Sequence, residues 1–574
     1  MCGIAGIWGP GDIDSMVQIM RHRGPDADGF YPSRTATERD APFRMGMRRL
    51  NVIDLKTGFQ PIYNEDRSIA VVFNGEIYNF QDLRRDLEKK GHRFATRSDT
   101  EVIVHAYEEW GIDCVKQFNG MFAFCVYDGK RIFLARDRIG EKPLFYARRG
   151  RHFYFASEIK ALLTQFESAP RIEADFWFFD GPVEDQTLFE GIYQLRPAHR
   201  MVWDGKTLAI DRYWELTEEE GTRKEASYIE ELRWLLNDSV RLRLISDVPV
   251  GLFLSGGLDS AVIACLARPD RVYSCNFPLG EKFDELAYAR IVAKQIKAEM
   301  TVVRPTAADF REHFPKVLWN LEQPIATAST IAEYLLAREA TKKVKVILGG
   351  QGADEIFGGY IRYVLMTLED RLATDPAVRN YRDLMRFFWN PTMFADPARR
   401  YYELIKRVPG EDGEQLGRIR RHFERFRMPV NQVGYTDMIL SLPALLTMND
   451  RASAAFGLEN RCPFLDHRIV EFAFRLPQGL KIREFRTKWI LRQAVRGIVP
   501  DAIIDRTDKK GLVVPFHQWL TKDLRAWARA LVRSLAERIE LPADGGRGEF
   551  DRGLYTRVSL ELWFRNFFPN YGGR

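Results

Sequence analysis

A glycine-rich segment in the middle of the chain has the residue types and spacing of an anion-binding turn. Ser255–Ser260 (SGGLDS) follows the apolar run Val250–Leu254, which predicts a buried parallel strand, and precedes an apolar segment that predicts a helix. Such a turn presents backbone N–H groups and a helix N-terminus to an anion. Asp259 lies where a Mg²⁺ on that anion would need an oxygen ligand. Taken alone, the segment is equally typical of an ordinary strand-to-helix turn.

Cys2, the second residue, could act as a nucleophile with its own base. Removal of Met1 would leave Cys2 with a free α-amine, whose reference pKa is about 7.7–8. A fraction of that amine is an unprotonated base at neutral pH, on the same residue as the thiol. A second-position cysteine also occurs by chance, so this interpretation depends on the segments that follow.

Two of those segments carry polar groups at predicted element ends. Asn74 and Gly75 follow a predicted strand at Ser68–Phe73 and begin a predicted turn, where they could supply the two donors of an oxyanion hole. Ser98 and Glu101 predict a capping box for the next helix. Asp99, in the first turn of that helix, is by itself better explained as a partner of the helix dipole.

Composition restricts the class of protein. A chain of 574 residues predicts two or more domains. A net charge of +6 over this length is too small to indicate nucleic-acid binding. No apolar run is long enough to span a membrane, and the N-terminus does not resemble a signal peptide. The six cysteines include no C-x-x-C pair and the nine histidines no H-x-x-x-H pattern, which argues against disulfides and structural zinc. We therefore expect a cytoplasmic protein with reduced thiols.

The order of predicted elements divides the chain. Residues 1–205 are rich in short strands with two or three helices, which predicts an α+β domain. Residues 206–230 are polar and predict a linker, and in 231–574 strands alternate with helices, which predicts a doubly wound parallel sheet. Val344–Leu348 predicts another strand, which runs into Gly349–Glu355. Ligands bind beyond the carboxyl ends of such strands, where both glycine-rich turns lie.

Six segments together resemble the class II (N-terminal nucleophile, Ntn) glutamine amidotransferase domain. They are Met1–Gly6, Arg21–Asp26, Arg49–Asp54, Phe73–Asn79, Ser98–Glu101 and Gly120–Phe124. The resemblance implies an Ntn glutaminase over residues 1–205, in which Cys2 attacks the glutamine amide and releases ammonia. It implies that Asn74 and Gly75 form the oxyanion hole. The implied glutamine-binding residues are Arg49, Val52, Ile53, Asn74, Gly75, Glu76 and Asp99.

The second half resembles the ATP pyrophosphatases, which cleave ATP between its α and β phosphates. Because Ser255–Ser260 follows a class II glutaminase in the chain, it resembles the corresponding loop of glutamine-hydrolysing asparagine synthetases. Other segments of that family are resembled by Gly350–Tyr360, Glu459–Asp466 and Arg506–Pro515. The resemblance implies an ATP-dependent ligase. In the implied reaction a carboxylate attacks the α-phosphate of ATP, and ammonia then displaces AMP from the acyl-adenylate.

The same resemblance implies roles for individual residues. Asp259 and Asp354 would hold Mg²⁺, and Lys509 would stabilise charge at the adenylate. Gln351, Asp354 and Arg451 would contact the acceptor or the intermediate. Phe277 is equally well explained as a core residue. The implied ATP-binding residues are Phe253, Leu254, Ser255, Gly256, Gly257, Asp259, Ser260, Phe277, Gly349 and Gly350.

Two departures from the family pattern bear on the acceptor. Gln351 stands where related enzymes commonly have a glutamate tied to formation of aspartyl-AMP, and glutamine keeps the hydrogen bonding but loses the charge. Residues 361–447 predict a long helical insert with many arginines. We interpret these charges as a solvated face, and a partner surface or a cap that shapes the acceptor site is the alternative.

Three hypotheses follow for the function. The leading one is asparagine synthesis from aspartate, glutamine and ATP, by a cytoplasmic homodimer with an internal ammonia tunnel, as the resemblance implies. The second keeps this chemistry on another carboxylate: a peptide, a glycan uronate or a small-molecule precursor. The third is a non-catalytic scaffold, against which the joint presence of Cys2, Asp259 and Asp354 argues.

Overall fold

The computed structural model describes most of the chain. The described residues are 1–32, 42–179, 181–219, 221–277, 285–324, 329–374, 396–406, 413–507, 514–542 and 552–572. None of the helices in these ranges is long and apolar enough to cross a membrane.

The first domain contains two six-stranded antiparallel sheets. Its strands are β1 (Gly3–Trp8), β2 (Ala27–Tyr31), β3 (Phe43–Arg49), β4 (Ile62–Tyr63), β5 (Ala70–Ile77), β6 (Gly120–Tyr127), β7 (Ile132–Arg136), β8 (Phe145–Arg149), β9 (His152–Ala156), β10 (Tyr193–Gln194), β11 (His199–Trp203) and β12 (Leu208–Arg212). The sheet orders are β10-β8-β9-β1-β3-β2 and β12-β11-β7-β6-β5-β4. Apolar side chains from both sheets, such as Ile4 and Val72, share one core between them.

Helices cover the outer faces of both sheets. The helices of this domain are α1 (Ile13–Gln18), α2 (Phe80–Lys89), α3 (Glu101–Trp110), α4 (Ile159–Leu163) and α5 (Ala174–Phe179). Helices α2 and α3 pack on the sheet that contains β5, and α1 and α4 pack on the sheet that contains β1. This arrangement confirms the predicted α+β Ntn domain.

The second domain is built on a five-stranded parallel sheet. Its strands are β13 (Val250–Phe253), β14 (Arg271–Cys275), β15 (Glu299–Val303), β16 (Val346–Leu348) and β17 (Glu459–Arg461), in the order β15-β14-β13-β16-β17. The strand order reverses between β13 and β16. This is the topological switch point, where parallel α/β sheets open a crevice for ligands, and it confirms the predicted doubly wound sheet.

The remaining helices surround this sheet or extend from it. They are α6 (Glu225–Arg243), α7 (Leu258–Ala267), α8 (Leu286–Ile296), α9 (Ala307–Leu321), α10 (Thr330–Ala340), α11 (Ala353–Phe357), α12 (Ile361–Thr374), α13 (Pro397–Ile405), α14 (Gly413–Phe423), α15 (Pro429–Leu440), α16 (Leu442–Ala454), α17 (His467–Phe474), α18 (Gln478–Lys481), α19 (Trp489–Ala494), α20 (Asp501–Ile504), α21 (Phe516–Gln518), α22 (Arg525–Arg538) and α23 (Gly553–Phe567). The described part of the predicted insert 361–447 is helical.

Local structure differs from expectation at three places. Strand β5 continues through Asn74 and Gly75 to Ile77, because these residues pair with β6, so the predicted turn there is wrong. The predicted capping box is also wrong, because the Glu101 carboxylate accepts hydrogen bonds from the backbone of Ala95 and Thr96. Strand β12 and the start of α6 lie inside the range 206–230, and the domain boundaries themselves remain a prediction.

A buried network of ion pairs joins the two domains. Arg23 of the first domain lies 2.8 Å from Asp450 and 3.0 Å from Glu158. Arg451 of the second domain lies 2.6 Å from Glu158 and 3.0 Å from Glu322. Lys160 completes the network through Glu158 and Glu322. Although burial alone would raise it, the charges of His22, Lys160 and Arg451 hold the pKa of Glu158 well below its ordinary value.

Replacement of Glu158 should therefore destabilise the protein strongly. Glu158→Gln removes one charge and leaves buried cations without their partner, which costs about 3–5 kcal/mol. The matched control is Glu88→Gln, since Glu88 forms a solvent-exposed pair with Arg84 at 2.9 Å, worth less than about 1 kcal/mol. Urea unfolding followed by circular dichroism measures both. Equal losses in the two variants would contradict the role assigned to the network.

Candidate active sites

Cys2 lies at the start of β1, on the core between the two sheets of the first domain. Its thiol lies 4.0 Å from the carbonyl oxygen of Leu50, and burial raises the pKa of this thiol. Met1 precedes it with a fully buried side chain. Burial lowers the pKa of the Met1 α-amine to about 6, so the amine at this position is largely an uncharged base at neutral pH.

Two side chains of the first domain have buried polar atoms without a hydrogen-bond partner among the described residues. The side-chain amide of Asn74 is fully buried, and neither its oxygen nor its nitrogen has a hydrogen-bond partner among the described residues. Arg49 donates through Nη2 to the carbonyl oxygens of Ile53 (3.1 Å) and Asp54 (2.7 Å), whereas its buried Nη1 is unpaired there. Native structures rarely leave such groups unsatisfied, so both donors are available to a ligand.

Two acidic side chains complete this site. Asp99 accepts a hydrogen bond from the backbone N–H of Ile77 at 2.9 Å, and burial raises its pKa to about 6. Burial, with the nearby charges of Asp99 and Glu459, raises the pKa of Glu76 well above its ordinary value. Arg461 of the second domain lies 3.2 Å from the Glu76 carboxylate. Strand β17 therefore reaches the site formed by the first domain.

The second site lies at the switch point between β13 and β16. Residues 254–257 connect β13 to α7, whose first turn carries Asp259 and Ser260, and Gly256 has φ 79°, a conformation that favours glycine. The Ser255 and Ser260 hydroxyls lie 3.1 Å apart. The neighbouring loop comes so close that a Cβ at Gly350 would lie 3.2 Å from the Ser260 nitrogen. The two glycine-rich segments therefore form one surface.

Two carboxylates of this surface face a single cation. The ammonium of Lys488 lies 2.7 Å from Asp259 Oδ1 and 2.6 Å from Asp354 Oδ1. Both carboxylates therefore converge on one point, and hard oxygen donors in this arrangement suit Mg²⁺. Lys488 itself is almost completely buried.

A cavity of about 230 Å³ opens beside these carboxylates. Its lining includes residues of both glycine-rich loops and of the helices α10, α11 and α16. The lining residues are Phe253, Leu254, Ser255, Asp259, Ser260, Tyr273, Cys275, Ser329, Glu333, Leu336, Gly350, Gln351, Gly352, Asp354, Glu355, Tyr360, Leu445 and Met448.

Gln351 lies beside a carboxylate in this cavity. Its amide nitrogen lies 3.3 Å from Glu333 Oε1 and 3.1 Å from the amide oxygen of Asn449. Burial raises the pKa of Glu333 to about 8. Exchange of the oxygen and nitrogen of the Asn449 amide lets this amide donate to Glu333 as well. A buried acid flanked by two neutral amides therefore stands where a charged group of a ligand would fit.

The two halves of the chain match two known families. Residues 231–550 match the family model described as asparagine synthase, and residues 1–214 match the one described as glutamine amidotransferase domain. The chain belongs to the asparagine synthase family. The glutamine-hydrolysing asparagine synthetase 3 of Bacillus subtilis (strain 168) is 32% identical over 572 residues, covering 92% of this chain and 90% of the relative.

Two further relatives match over similar lengths. The glutamine-hydrolysing asparagine synthetase 1 of the same bacterium is 30% identical over 583 residues, covering 93% of this chain and 90% of the relative. A putative asparagine synthetase of Mycobacterium tuberculosis (strain ATCC 25618 / H37Rv) is 31% identical over 644 residues, covering 99% and 97%. These matches confirm the resemblance drawn from the motifs.

The structure brings together most of the site residues that this family implies, but not all. Arg451 lies in the interdomain ion network and not on the cavity. Phe277 is buried against Trp519, with ring centroids 5.8 Å apart, as its alternative core role predicts. Val52 is buried against Val346 of the second domain. Lys509 lies outside the described residues.

Three residues of this asparagine synthase family member were missed by the sequence analysis. Lys488 reaches Asp259 across 229 positions of the chain, and no local motif marks it. Arg461 contacts the first domain through a strand of the second. The sequence could have indicated Glu333, because it is the single acidic residue in the apolar segment Ile331–Leu336. A charge on the buried face of a helix is expected only where something compensates for it.

Proposed function

We propose that this protein is a glutamine-dependent asparagine synthetase, a ligase that uses ATP and Mg²⁺. The observation that carries the proposal is a pair of unpaired buried donors in the domain of Cys2: the Asn74 amide, and Nη1 of Arg49, whose charge acts on the Cys2 thiol. They fit the carboxylate and the amide oxygen of a glutamine. The switch-point cavity in the same chain, with Asp259 and Asp354 converging on a cation, fits ATP.

In the first domain, Cys2 would attack the glutamine side-chain amide. With Met1 removed, the α-amine of Cys2 takes the thiol proton and passes it to the departing nitrogen. A C–S bond forms, the C–N bond breaks, and ammonia leaves before water hydrolyses the thioester to glutamate. Asn74 and the N–H of Gly75 stabilise the oxyanion. Arg49 grips the α-carboxylate, and Glu76 and Asp99 face the α-ammonium.

In the second domain, a carboxylate oxygen of aspartate would attack the α-phosphate of ATP and release pyrophosphate. Asp259 and Asp354 would hold Mg²⁺, which offsets the negative charge of the phosphates when it is bound. The Ser255–Ser260 turn cradles the pyrophosphate, and Lys488 and Lys509 supply further positive charge. Ammonia then forms a C–N bond with the acyl carbon, and AMP departs with the electron pair of the broken C–O bond.

Glu333 would supply the carboxylate that Gln351 lacks. It lies 3.3 Å from the Gln351 amide, on α10 instead of on the loop. Burial raises the pKa of Glu333 to about 8, so this carboxyl is largely neutral at pH 7. An acceptor that carries an ammonium group, as aspartate does, would restore the ionised form. This favours an amino acid over an acceptor that has a carboxylate but no ammonium group, such as a uronate.

The family also suggests a cellular setting. We propose a cytoplasmic homodimer, as the resemblance to the family implies. Glutamine, aspartate and ATP would be its small-molecule substrates. Light scattering on the purified protein tests the dimer directly.

The first test is the reaction itself. With aspartate, glutamine and Mg-ATP, we expect asparagine, glutamate, AMP and pyrophosphate in equal amounts, measured by chromatography. A panel of other carboxylates, including peptides and uronates, serves as the control. AMP release with a panel member but not with aspartate would replace this function with the alternative acceptor.

The second test separates the two sites. Cys2→Ala should abolish glutamine-dependent turnover and leave synthesis from free ammonia intact, because the thiol takes no part in adenylation. Arg49→Lys should raise the KM for glutamine by at least about tenfold, since an ammonium cannot make the bidentate grip of a guanidinium. Rates with glutamine and with ammonium chloride measure both. Loss of the ammonia-dependent rate in a folded Cys2→Ala variant would contradict the separation.

The third test moves the charge between Glu333 and Gln351. Glu333→Gln should raise the KM for aspartate at least about tenfold, which corresponds to about 1.4 kcal/mol. Addition of Gln351→Glu to that variant should restore most of the affinity.

Calorimetry supplies a readout that a merely structural role would not change. Below pH 8 a neutral Glu333 must release its proton when an ammonium binds, so the binding enthalpy should depend on the ionisation enthalpy of the buffer. This dependence should vanish in Glu333→Gln. If it persists, Glu333 does not contact the acceptor.

A further inference from the structure

Four side chains of metal-binding type converge outside the two sites described above. Glu65 lies between β4 and β5, His92 follows α2, and His105 and Glu108 belong to α3. One potential ligand atom from each lies within 4.8 Å of all the others. Three separate segments of the first domain therefore meet at this point.

The distances fit a single tetrahedral ion. His105 Nδ1 lies 3.5 Å from Glu65 Oε2 and 4.0 Å from Glu108 Oε2, and His92 Nδ1 lies 3.6 Å from Glu108 Oε2. His92 Nδ1 also lies 3.5 Å from Glu65 Oε1. Ligands about 2.0–2.1 Å from a tetrahedral Zn²⁺ are separated by about 3.4 Å. The four groups therefore need only small shifts to coordinate one ion.

His105 independently indicates a missing ligand. Its side chain is 1% exposed, and neither ring nitrogen has a hydrogen-bond partner within the described ranges. Its nearby carboxylates, Glu65 at 3.5 Å and Glu101 at 3.6 Å, are too far for good hydrogen bonds, which is costly because both buried nitrogens lose their hydrogen bonds to water. Nδ1 faces the carboxylates of Glu65 and Glu108, and a metal ion between them would satisfy it.

The second ring nitrogen of each histidine faces a carboxylate, as is common for metal-bound histidines. His105 Nε2 lies 3.6 Å from Glu101 Oε1, and His92 Nε2 lies 3.8 Å from Glu109 Oε2. Metal-ligating histidines commonly direct their second nitrogen at a carboxylate, which fixes the tautomer that leaves the first nitrogen free for the ion. The Glu101 carboxylate is itself held by the backbone of Ala95 and Thr96.

We propose that Glu65, His92, His105 and Glu108 form a structural Zn²⁺ site. Two neutral imidazoles and two carboxylates balance the charge of a divalent ion, and a nitrogen-oxygen set of this kind suits zinc. The carboxylates of Glu65 and Glu108 are about one-third exposed, which gives the ion a path from solvent.

This proposal reverses the expectation drawn from the histidine pattern. His92 and His105 are separated by the loop that leads into α3, so no H-x-x-x-H spacing marks them. The ion would tie this loop to the middle of α3. The same loop leads to Asp99, which hydrogen-bonds to Ile77 near Asn74. The site would therefore hold one wall of the glutamine site in place without touching the substrate.

Metal analysis of the full-length protein tests the proposal. Protein purified without a metal-affinity step is stripped with a strong chelator, dialysed and titrated with Zn²⁺ against a chromogenic chelator. We expect one equivalent of bound Zn²⁺, a higher melting temperature with Zn²⁺, and the visible bands of tetrahedral Co²⁺ after cobalt substitution.

Variants locate the ion. His92→Gln and Glu65→Gln each remove one ligand at a partly exposed position and should weaken Zn²⁺ binding at least about tenfold. His152→Gln, a histidine of β9 in the same domain, is the matched control and should bind as the parent does. No bound Zn²⁺ in the parent protein, or equal binding in all variants, would overturn the proposal.

Discussion

The buried ion network between the domains is the constraint on which the relative position of the two sites depends. Three basic side chains, Arg23, Lys160 and Arg451, meet three acidic ones, Glu158, Glu322 and Asp450. Such a network adds little folding stability compared with apolar packing, because the cost of desolvation offsets the Coulomb attraction. A shift of one domain against the other, however, would leave charges buried and unpaired. It therefore fixes geometry more than it adds stability. For a product as small and as easily protonated as ammonia, fixed geometry between source and acceptor is a chemical requirement.

Strand β17 shows how closely that geometry joins the sites. Arg461 reaches the Glu76 carboxylate of the first domain. The side chain of Asn460 lies against Gly349, the first residue of the loop Gly349–Glu355. Lys142 of the first domain lies 3.4 Å from the Asn460 carbonyl oxygen. Two consecutive residues of one short strand, at the edge of the parallel sheet, thus contact the surroundings of both sites.

The sequence allowed correct predictions wherever a local pattern was sufficient. The run Val250–Leu254 and the glycines after it predicted a strand, a turn and a helix, because length and apolarity decide these elements locally. The predicted turn at Asn74 failed because β5 continues only through pairing with β6, which the local sequence does not encode. Lys488 could not be found, since its partners Asp259 and Asp354 lie far away in the chain. The resemblance implied that Arg451 contacts the acceptor, whereas in the structure its guanidinium forms ion pairs with Glu158 and Glu322.

The pair Glu333 and Gln351 shows why a motif comparison alone misjudges this acceptor site. In the sequence, glutamine at position 351 removes a carboxylate from the loop that the family motif marks. In the structure, the carboxylate of Glu333 lies 3.3 Å from the Gln351 amide nitrogen, on helix α10, which no motif covers. Two amides, those of Gln351 and Asn449, now lie beside it as neutral donors. A ligand responds to the position of a charge and not to the element that carries it, and the cavity has a carboxyl group beside Gln351 although its loop sequence departs from the family pattern.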